Sequence, residues 1–67
     1  MILWVNKNKQ QYEYPLSLLE LLQQLNKAEQ SGIAIAVNNR VIPKSNWSNQ
    51  ALQDQDSITI ITATQGG

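Results

Sequence analysis

"SITIITAT" (residues 57–64) consists almost entirely of isoleucine and threonine, and it decides how the rest of the chain must be arranged. β-Branched side chains of this kind favour extended strands. Because Ile60 and Ile61 are adjacent, side-chain alternation places apolar groups on both faces of the predicted strand. Such a strand favours a central position in a sheet, so we expect the other elements to assemble around it.

The first fourteen residues indicate a β-hairpin beside this central strand. "ILWVN" (residues 2–6) is rich in strand-forming residues, "NKNK" (residues 6–9) is a polar turn, and "QQYEY" (residues 10–14) alternates as a strand does. The first and last strands are both candidates for the middle of the sheet. If they are neighbours, we expect them to run parallel, with the last strand leading directly into the C-terminal residues.

The segment "PLSLLELLQQLNKAEQSG" (residues 15–32) predicts an amphipathic helix. Ser17 followed by Glu20 is a capping-box signature, in which each side chain accepts a hydrogen bond from the other residue's backbone N–H. The apolar side chains recur at helical spacing and form one broad stripe: Leu18, Leu21, Leu22, Leu25 and Ala28. Gly32 is a plausible stop or loop residue. A single helix cannot bury this stripe alone, so it must pack on the sheet.

The segment "IAIAVNNRVIP" (residues 33–43) predicts a second hairpin, with strands at 33–37 and 40–42. Asn38 and Asn39 join them, because asparagine tolerates the positive φ of tight two-residue turns. Trp47 is interpreted as an anchor that buries the next loop, with ligand stacking as the alternative. The order β-β-α-β-β-β indicates an α+β domain with a mixed sheet of four to five strands and one helix packed across one face.

Alternation along the first and last strands separates two faces of this sheet. Leu3, Val5, Ile58 and Ile60 point at the helix. The opposite face carries an apolar patch, and such a patch indicates a surface for docking a partner protein. The alternative is a set of partly exposed side chains without consequence. The predicted docking residues are Ile2, Trp4, Ala36, Thr59, Ile61 and Ala63, with Ala34 beside them.

Composition argues against an enzyme and against several kinds of partner. The chain has no Cys and no His, and it has five basic and five acidic residues, so its net charge is zero. We therefore expect no catalytic residue, no metal site and no nucleic-acid partner. Asp54 and Asp56 are interpreted as a solvated turn and not as a metal pair. No apolar run is long enough for a membrane span or a signal peptide, so a cytoplasmic location is expected.

The last two residues, Gly66 and Gly67, account for two of the three glycines in the chain. A terminal glycine pair arises by chance in about one of 200 chains, so the pair alone is only suggestive. Glycines lack the Cβ atom that would stop the backbone from threading a narrow channel, and a terminal carboxylate can be activated as an acyl adenylate. We therefore expect a folded domain at residues 1–64 and a flexible tail at residues 65–67.

Three pieces of the sequence carry a family resemblance that spans essentially the whole chain. "AVNNRVIPKSNW" (residues 36–47), "DQDSITII" (residues 54–61) and the final Gly66-Gly67 resemble the ThiS family of thiamine-biosynthesis sulfur carriers, which have the ubiquitin-like β-grasp fold. The family more often has Asp-Gly-Asp in the turn before the last strand. Gln55 replaces that glycine here, which affects the type of turn expected but not the function.

The resemblance implies a carrier and not a catalyst. In the family, an ATP-dependent activating enzyme of the ubiquitin-activating type (ThiF-like) adenylates the terminal carboxylate, here that of Gly67. Sulfur from a donor such as a cysteine desulfurase then gives a thiocarboxylate, which is delivered to thiazole synthase (ThiG-like). Gln65 and Gly66 are expected to thread into the partner, and the open sheet face to dock on the activating enzyme. No cofactor is expected to be bound, since the partner consumes the ATP.

Two other readings stay open. The small subunit of molybdopterin synthase shares the fold, the Gly-Gly end and the thiocarboxylate, although it is usually longer and docks permanently into a large catalytic subunit. A ubiquitin-like interaction module belongs to a different class, because its tail is either inert or conjugated to lysines.

Overall fold

The computed structural model describes residues 1–62, and residues 63–67 lie outside that range. The elements follow the predicted order: β1 (Ile2–Val5), β2 (Asn8–Gln11), α1 (Leu18–Gln24), β3 (Ile33–Val37), β4 (Arg40–Val41), a 3-10 helix (Lys44–Asn49) and β5 (Asp56–Thr62). The predicted tail at residues 65–67, and the predicted domain end at residue 64, lie outside the described residues.

The five strands form one sheet in the order β2-β1-β5-β3-β4, so β5 lies at its centre. β1 runs parallel to β5, with Leu3 opposite Asp56 and Val5 opposite Ile58. β3 runs antiparallel along the other side of β5. The central position of the last strand and its parallel pairing with the first are therefore confirmed.

Both hairpins turn through two residues whose φ angles are positive. The β3–β4 turn has Asn38 at 51° and Asn39 at 69°, which confirms the predicted tight turn. The β1–β2 turn has Asn6 at 49° and Lys7 at 70°. This second turn is shorter than the predicted 6–9 segment, because Asn6 and Lys7 reverse the chain without help from further residues.

The short first turn also moves β2 along the sequence. β2 begins at Asn8 and ends at Gln11, so the prediction of a strand over residues 10–14 is correct only in its first half. Tyr12 still exchanges two backbone hydrogen bonds with Met1 and is half-buried. This partial burial raises the pKa of the Tyr12 hydroxyl. Tyr14 lies beyond the pairing and is 72% exposed, so it does not cover the core.

The helix begins as predicted and ends early. Ser17 Oγ accepts from Glu20 N–H at 3.1 Å, and Glu20 Oε1 accepts from Ser17 N–H at 2.9 Å, which completes the capping box. Asn26 ends the helix with φ 59°. Its N–H donates to the Gln23 carbonyl and that of Lys27 donates to the Leu22 carbonyl, the two bonds of a Schellman motif. Gly32, with φ 75°, is a loop residue before β3 and does not stop the helix.

The core lies between α1 and one face of the sheet. Its fully buried side chains come from both layers and from the last loop: Leu3, Leu18, Leu21, Leu22, Ile35, Leu52 and Ile58. Trp47 is 3% exposed, and its Nε1–H donates to the Ile42 carbonyl at 2.9 Å. The indole therefore anchors the segment after β4, as predicted.

Candidate functional site

The register of the sheet brings the predicted docking residues onto one face, opposite α1. Trp4 pairs with Ser57, and the β5–β3 register pairs Thr59 with Ala36. Directly paired side chains share a face, and so do alternate residues of one strand. The open face therefore includes Ile2, Trp4, Ala36, Thr59 and Ile61. Ala63, the sixth predicted docking residue, lies outside the described residues.

These residues differ in how much surface they offer to a partner. Ile61 is 53% exposed and Thr59 is exposed, whereas Ile2 and Trp4 are half-buried. Ala36 is only 8% exposed, so its side chain can contribute little contact area. The apolar side chains of this face form a strip along β1 and β5 that is interrupted by the polar Ser57 and Thr59.

One large apolar side chain on this face was missed by the sequence reasoning. Val41 of β4 pairs with Ala36 and is 66% exposed. Alternation along β4 is the sequence signal that could have identified Val41. Because Ile42 faces the core, the residue before it faces outward. Val41 extends the apolar strip across β3 to the edge of the sheet.

Trp4 is oriented by the turn that precedes β5. Its Nε1–H donates to Gln55 Oε1 at 3.3 Å. Gln55 has φ 73°, and the N–H of Asp56 closes the turn onto the Gln53 carbonyl at 3.1 Å. A positive φ at the third residue is the requirement of a type II turn, which glycine meets most easily. This explains why a glycine is expected here, while the glutamine side chain present instead holds the indole of Trp4.

Both aspartates of this turn are engaged in structural hydrogen bonds. Asp54 Oδ1 accepts from the Ile2 N–H at 2.6 Å, and this bond, supported by the Gln55 side chain, lowers the pKa of the Asp54 carboxyl. Asp56 accepts from the Asn38 side chain and from the Gln53 N–H, each at 2.9 Å. Within residues 1–62 no three Asp, Glu, His or Cys side chains are grouped as a metal site would need.

Two asparagines hold β5 from the two hairpin turns. Asn38 Oδ1 accepts from the Ser57 N–H at 2.9 Å, at the start of the strand. Asn6 Oδ1 accepts from the Ile60 N–H at 2.8 Å, near its end. The predicted tail residues Gln65, Gly66 and Gly67 follow this end of β5 in sequence and lie outside the described residues.

Charge on the open face is sparse. Among the strand residues that the structure describes on this face, Lys9 carries the charge, and it pairs with Trp4 across the β1–β2 hairpin. An apolar surface with a cation at its rim is suited to a protein partner with an apolar patch and a carboxylate beside it. No helix within residues 1–62 is long and apolar enough to cross a membrane.

Known proteins share both the sequence pattern and the architecture of this chain. The model of the ThiS family matches residues 4–67. The sulfur carrier protein ThiS of Escherichia coli K12 is 38% identical over 48 residues, which are 72% of this chain and 71% of that protein.

Solved structures show the same fold. The crystal structure of the thiamine biosynthesis protein ThiS from Geobacter metallireducens matches with a TM-score of 0.84 at 23% identity, and the match covers all of both chains. A solution structure of a thiamine biosynthesis protein from the same organism matches with a TM-score of 0.80, also at 23% identity, over all of this chain and 88% of that one. The predicted β-grasp fold is confirmed.

Proposed function

Because the chain belongs to the ThiS family of sulfur carrier proteins, we propose that it carries sulfur for thiamine biosynthesis as a thiocarboxylate on Gly67. The observation that carries this proposal is the family match, which extends through Gly66 and Gly67 to residue 67. The match also favours the thiamine carrier over the small subunit of molybdopterin synthase and over an inert ubiquitin-like module.

The proposed chemistry occurs on the carboxylate and is catalysed by partners. A carboxylate oxygen of Gly67 attacks the α-phosphate of ATP in the activating enzyme, pyrophosphate leaves, and an acyl adenylate forms. The persulfide sulfur of a donor such as a cysteine desulfurase then displaces AMP from the acyl carbon and forms an acyl disulfide. A second thiol attacks the donor's sulfur in that disulfide, which releases the thiocarboxylate and leaves the two thiols joined as a disulfide. The thiocarboxylate is finally delivered to thiazole synthase. With no His or Cys, this chain lacks the usual groups for proton transfer or covalent catalysis near neutral pH, which supports the role of carrier.

Gly66 and Gln65 are proposed to thread into the activating enzyme ahead of the folded domain. A residue without Cβ lets the backbone lie close to a nucleotide, and this favours glycine next to the reacting carboxylate. Substitution of Gly66 by a bulky residue should therefore slow adenylation without changing the fold.

The open face is proposed as the surface that docks on the activating enzyme. Support comes from the exposure of Ile61 and Val41, from the half-buried Trp4, and from the low charge of this face. An exposed apolar strip of this kind is typical of a protein-binding surface. The partner is expected to present apolar side chains to β5 and β1 and a carboxylate near Lys9.

Mass spectrometry of the intact chain tests the proposed function. After incubation with ATP, the activating enzyme and a sulfur donor, the chain should gain the mass difference between one sulfur and one oxygen atom. A chain lacking Gly67 should gain nothing. An unchanged mass for the full chain would support an inert module, and attachment to another protein would indicate a conjugating modifier. Transfer of the sulfur to thiazole synthase distinguishes the thiamine carrier from the molybdopterin type.

A further inference from the structure

The β1–β2 turn contacts β5 at the point where β1 can no longer pair with it. β1 ends at Val5, and the chain reverses through Asn6 and Lys7. The N–H of Asn6 donates to the Ile58 carbonyl at 2.9 Å, which continues the parallel pairing by one step. The Asn6 side chain adds a further step, because its Oδ1 accepts from the Ile60 N–H at 2.8 Å.

The second of these contacts satisfies a β5 amide that β1 is too short to reach. The Ile60 N–H points towards the β1 side of β5, because its acceptor Asn6 directly follows β1. Without the Asn6 oxygen this amide would have no partner in the sheet on that side. The contact therefore defines the residue at which β5 separates from β1.

From this geometry we propose that Asn6 is a positioning residue for sulfur loading, because it holds the β1 side of β5 near the end of the strand, while β3 holds the other side through Thr62. The inference rests on the proposed function. Gly67 lies seven positions after Ile60, and an extended chain of seven residues spans about 25 Å. Without the Asn6 side chain the end of β5 is held only by its pairing with β3, so its backbone has more freedom to lose when a partner binds the segment that leads to Gly67, and binding becomes weaker.

Asparagine suits this role for two reasons. Its φ of 49° lies in the left-handed region, which asparagine tolerates better than most residues. Its side chain is also short enough to offer an oxygen to the neighbouring strand. Asn38 has the same turn position and makes the same kind of bond to Ser57 at the other end of β5, so the molecule contains its own control.

The test compares Asn6→Gly with Asn38→Gly, since glycine retains the positive φ and removes the side-chain acceptor in both. Steady-state adenylation, measured as pyrophosphate release, should show KM raised on the order of tenfold in Asn6→Gly, with kcat little changed. Asn38→Gly should stay close to the wild-type KM. Asn6→Asp keeps an acceptor oxygen, so its KM should stay close to that of the wild type.

Hydrogen exchange of the Ile60 amide reports the contact itself and should become faster in Asn6→Gly alone. Faster exchange with an unchanged KM would overturn the positioning role. An equal rise of KM in both glycine variants would show that the two asparagines only stabilise the fold. If Asn6→Gly does not fold, the test rests on Asn6→Asp. Its KM should differ from that of the wild type by less than about twofold, and a larger rise in KM would also overturn the positioning role. A wild-type chain that is never adenylated would refute the proposed function itself.

Discussion

The two faces of the central sheet are built from the same strands and differ in how they are covered. Ile58 and Ile61 are three residues apart in β5, yet Ile58 is fully buried against α1 and Ile61 is half exposed on the open face. The helix-facing side chains are covered within the chain, whereas the apolar strip on the other side has no cover among the described residues. The difference indicates that one face maintains the fold and the other is available to a partner.

The largest expected effect comes from breaking the buried face. Ile58→Ala removes a fully buried side chain from the centre of the core and should lower the free energy of unfolding by about 2–5 kcal/mol. A domain of this size has a total stability of only about 3–10 kcal/mol, so the variant should lose a large fraction of it. Urea denaturation followed by Trp fluorescence measures the change.

Ile61→Ala is the matched control, because it makes the same change in the same strand on the open face. Its cost should be about 0.5 kcal/mol, as for most surface substitutions. Ile58→Val gives a smaller step that remains measurable if Ile58→Ala does not fold, with a cost of about 1 kcal/mol. Equal losses at the two positions would contradict the division of roles between the faces.

Next in size is the effect of a charge on the open face. Ile61→Asp should lower kcat/KM for adenylation on the order of tenfold or more, because a carboxylate would be desolvated in the docked complex. The domain should stay folded, which circular dichroism checks. Gln10→Asp adds the same charge to β2 on the helix side of the sheet and should leave adenylation unchanged. Unaltered kinetics for Ile61→Asp would remove the open face from the proposed interface.

A smaller effect is expected at the rim of the same face. Lys9→Glu should lower kcat/KM by about two- to fivefold at low ionic strength, and the loss should fade as salt screens the charge. Lys44→Glu, beside Trp47 in the helical layer, reverses a charge away from this face and serves as the control. A salt-independent loss for Lys9→Glu would argue against charge steering and for a direct packing contact.

The smallest expected change concerns the turn before β5, which contains Gln55. Gln55→Gly relieves the positive φ of Gln55 but increases the freedom of the unfolded chain, so the free energy of unfolding should rise by about 0.5 kcal/mol. The substitution also releases the indole of Trp4 from its hydrogen bond. Thermal denaturation and adenylation kinetics together separate the two consequences. A loss of stability would show that holding Trp4 outweighs the backbone strain.

Much of this fold follows from local patterns in the sequence. The composition of residues 57–64 was sufficient to place β5 at the centre of the sheet, and Ser17 with Glu20 was sufficient to start the helix. Adjacent asparagines at residues 38 and 39 identified a two-residue turn. In each case one short segment carries both the signal and the interactions that satisfy it.

The errors lie where a side chain acts on a distant part of the chain or where one residue competes with a stronger signal. Asn26 ends the helix although Leu25 and Ala28 continue the helical spacing, because backbone hydrogen bonds of the Schellman motif outweigh the apolar pattern. The side-chain contacts of Asn6 with Ile60 and of Gln55 with Trp4 join residues more than fifty positions apart. Such pairs have no periodicity that a single sequence could reveal.

The parallel pairing of β1 with β5 has a consequence for folding during synthesis. The residues that these two strands pair with each other lie 53 positions apart in the chain. Contacts of such long range slow folding, because the intervening loop must be closed before they form. On a ribosome, β1 emerges before β5 and cannot pair with it until β5 has been synthesised. The sheet can therefore be completed only when the segment that leads to Gly67 already exists.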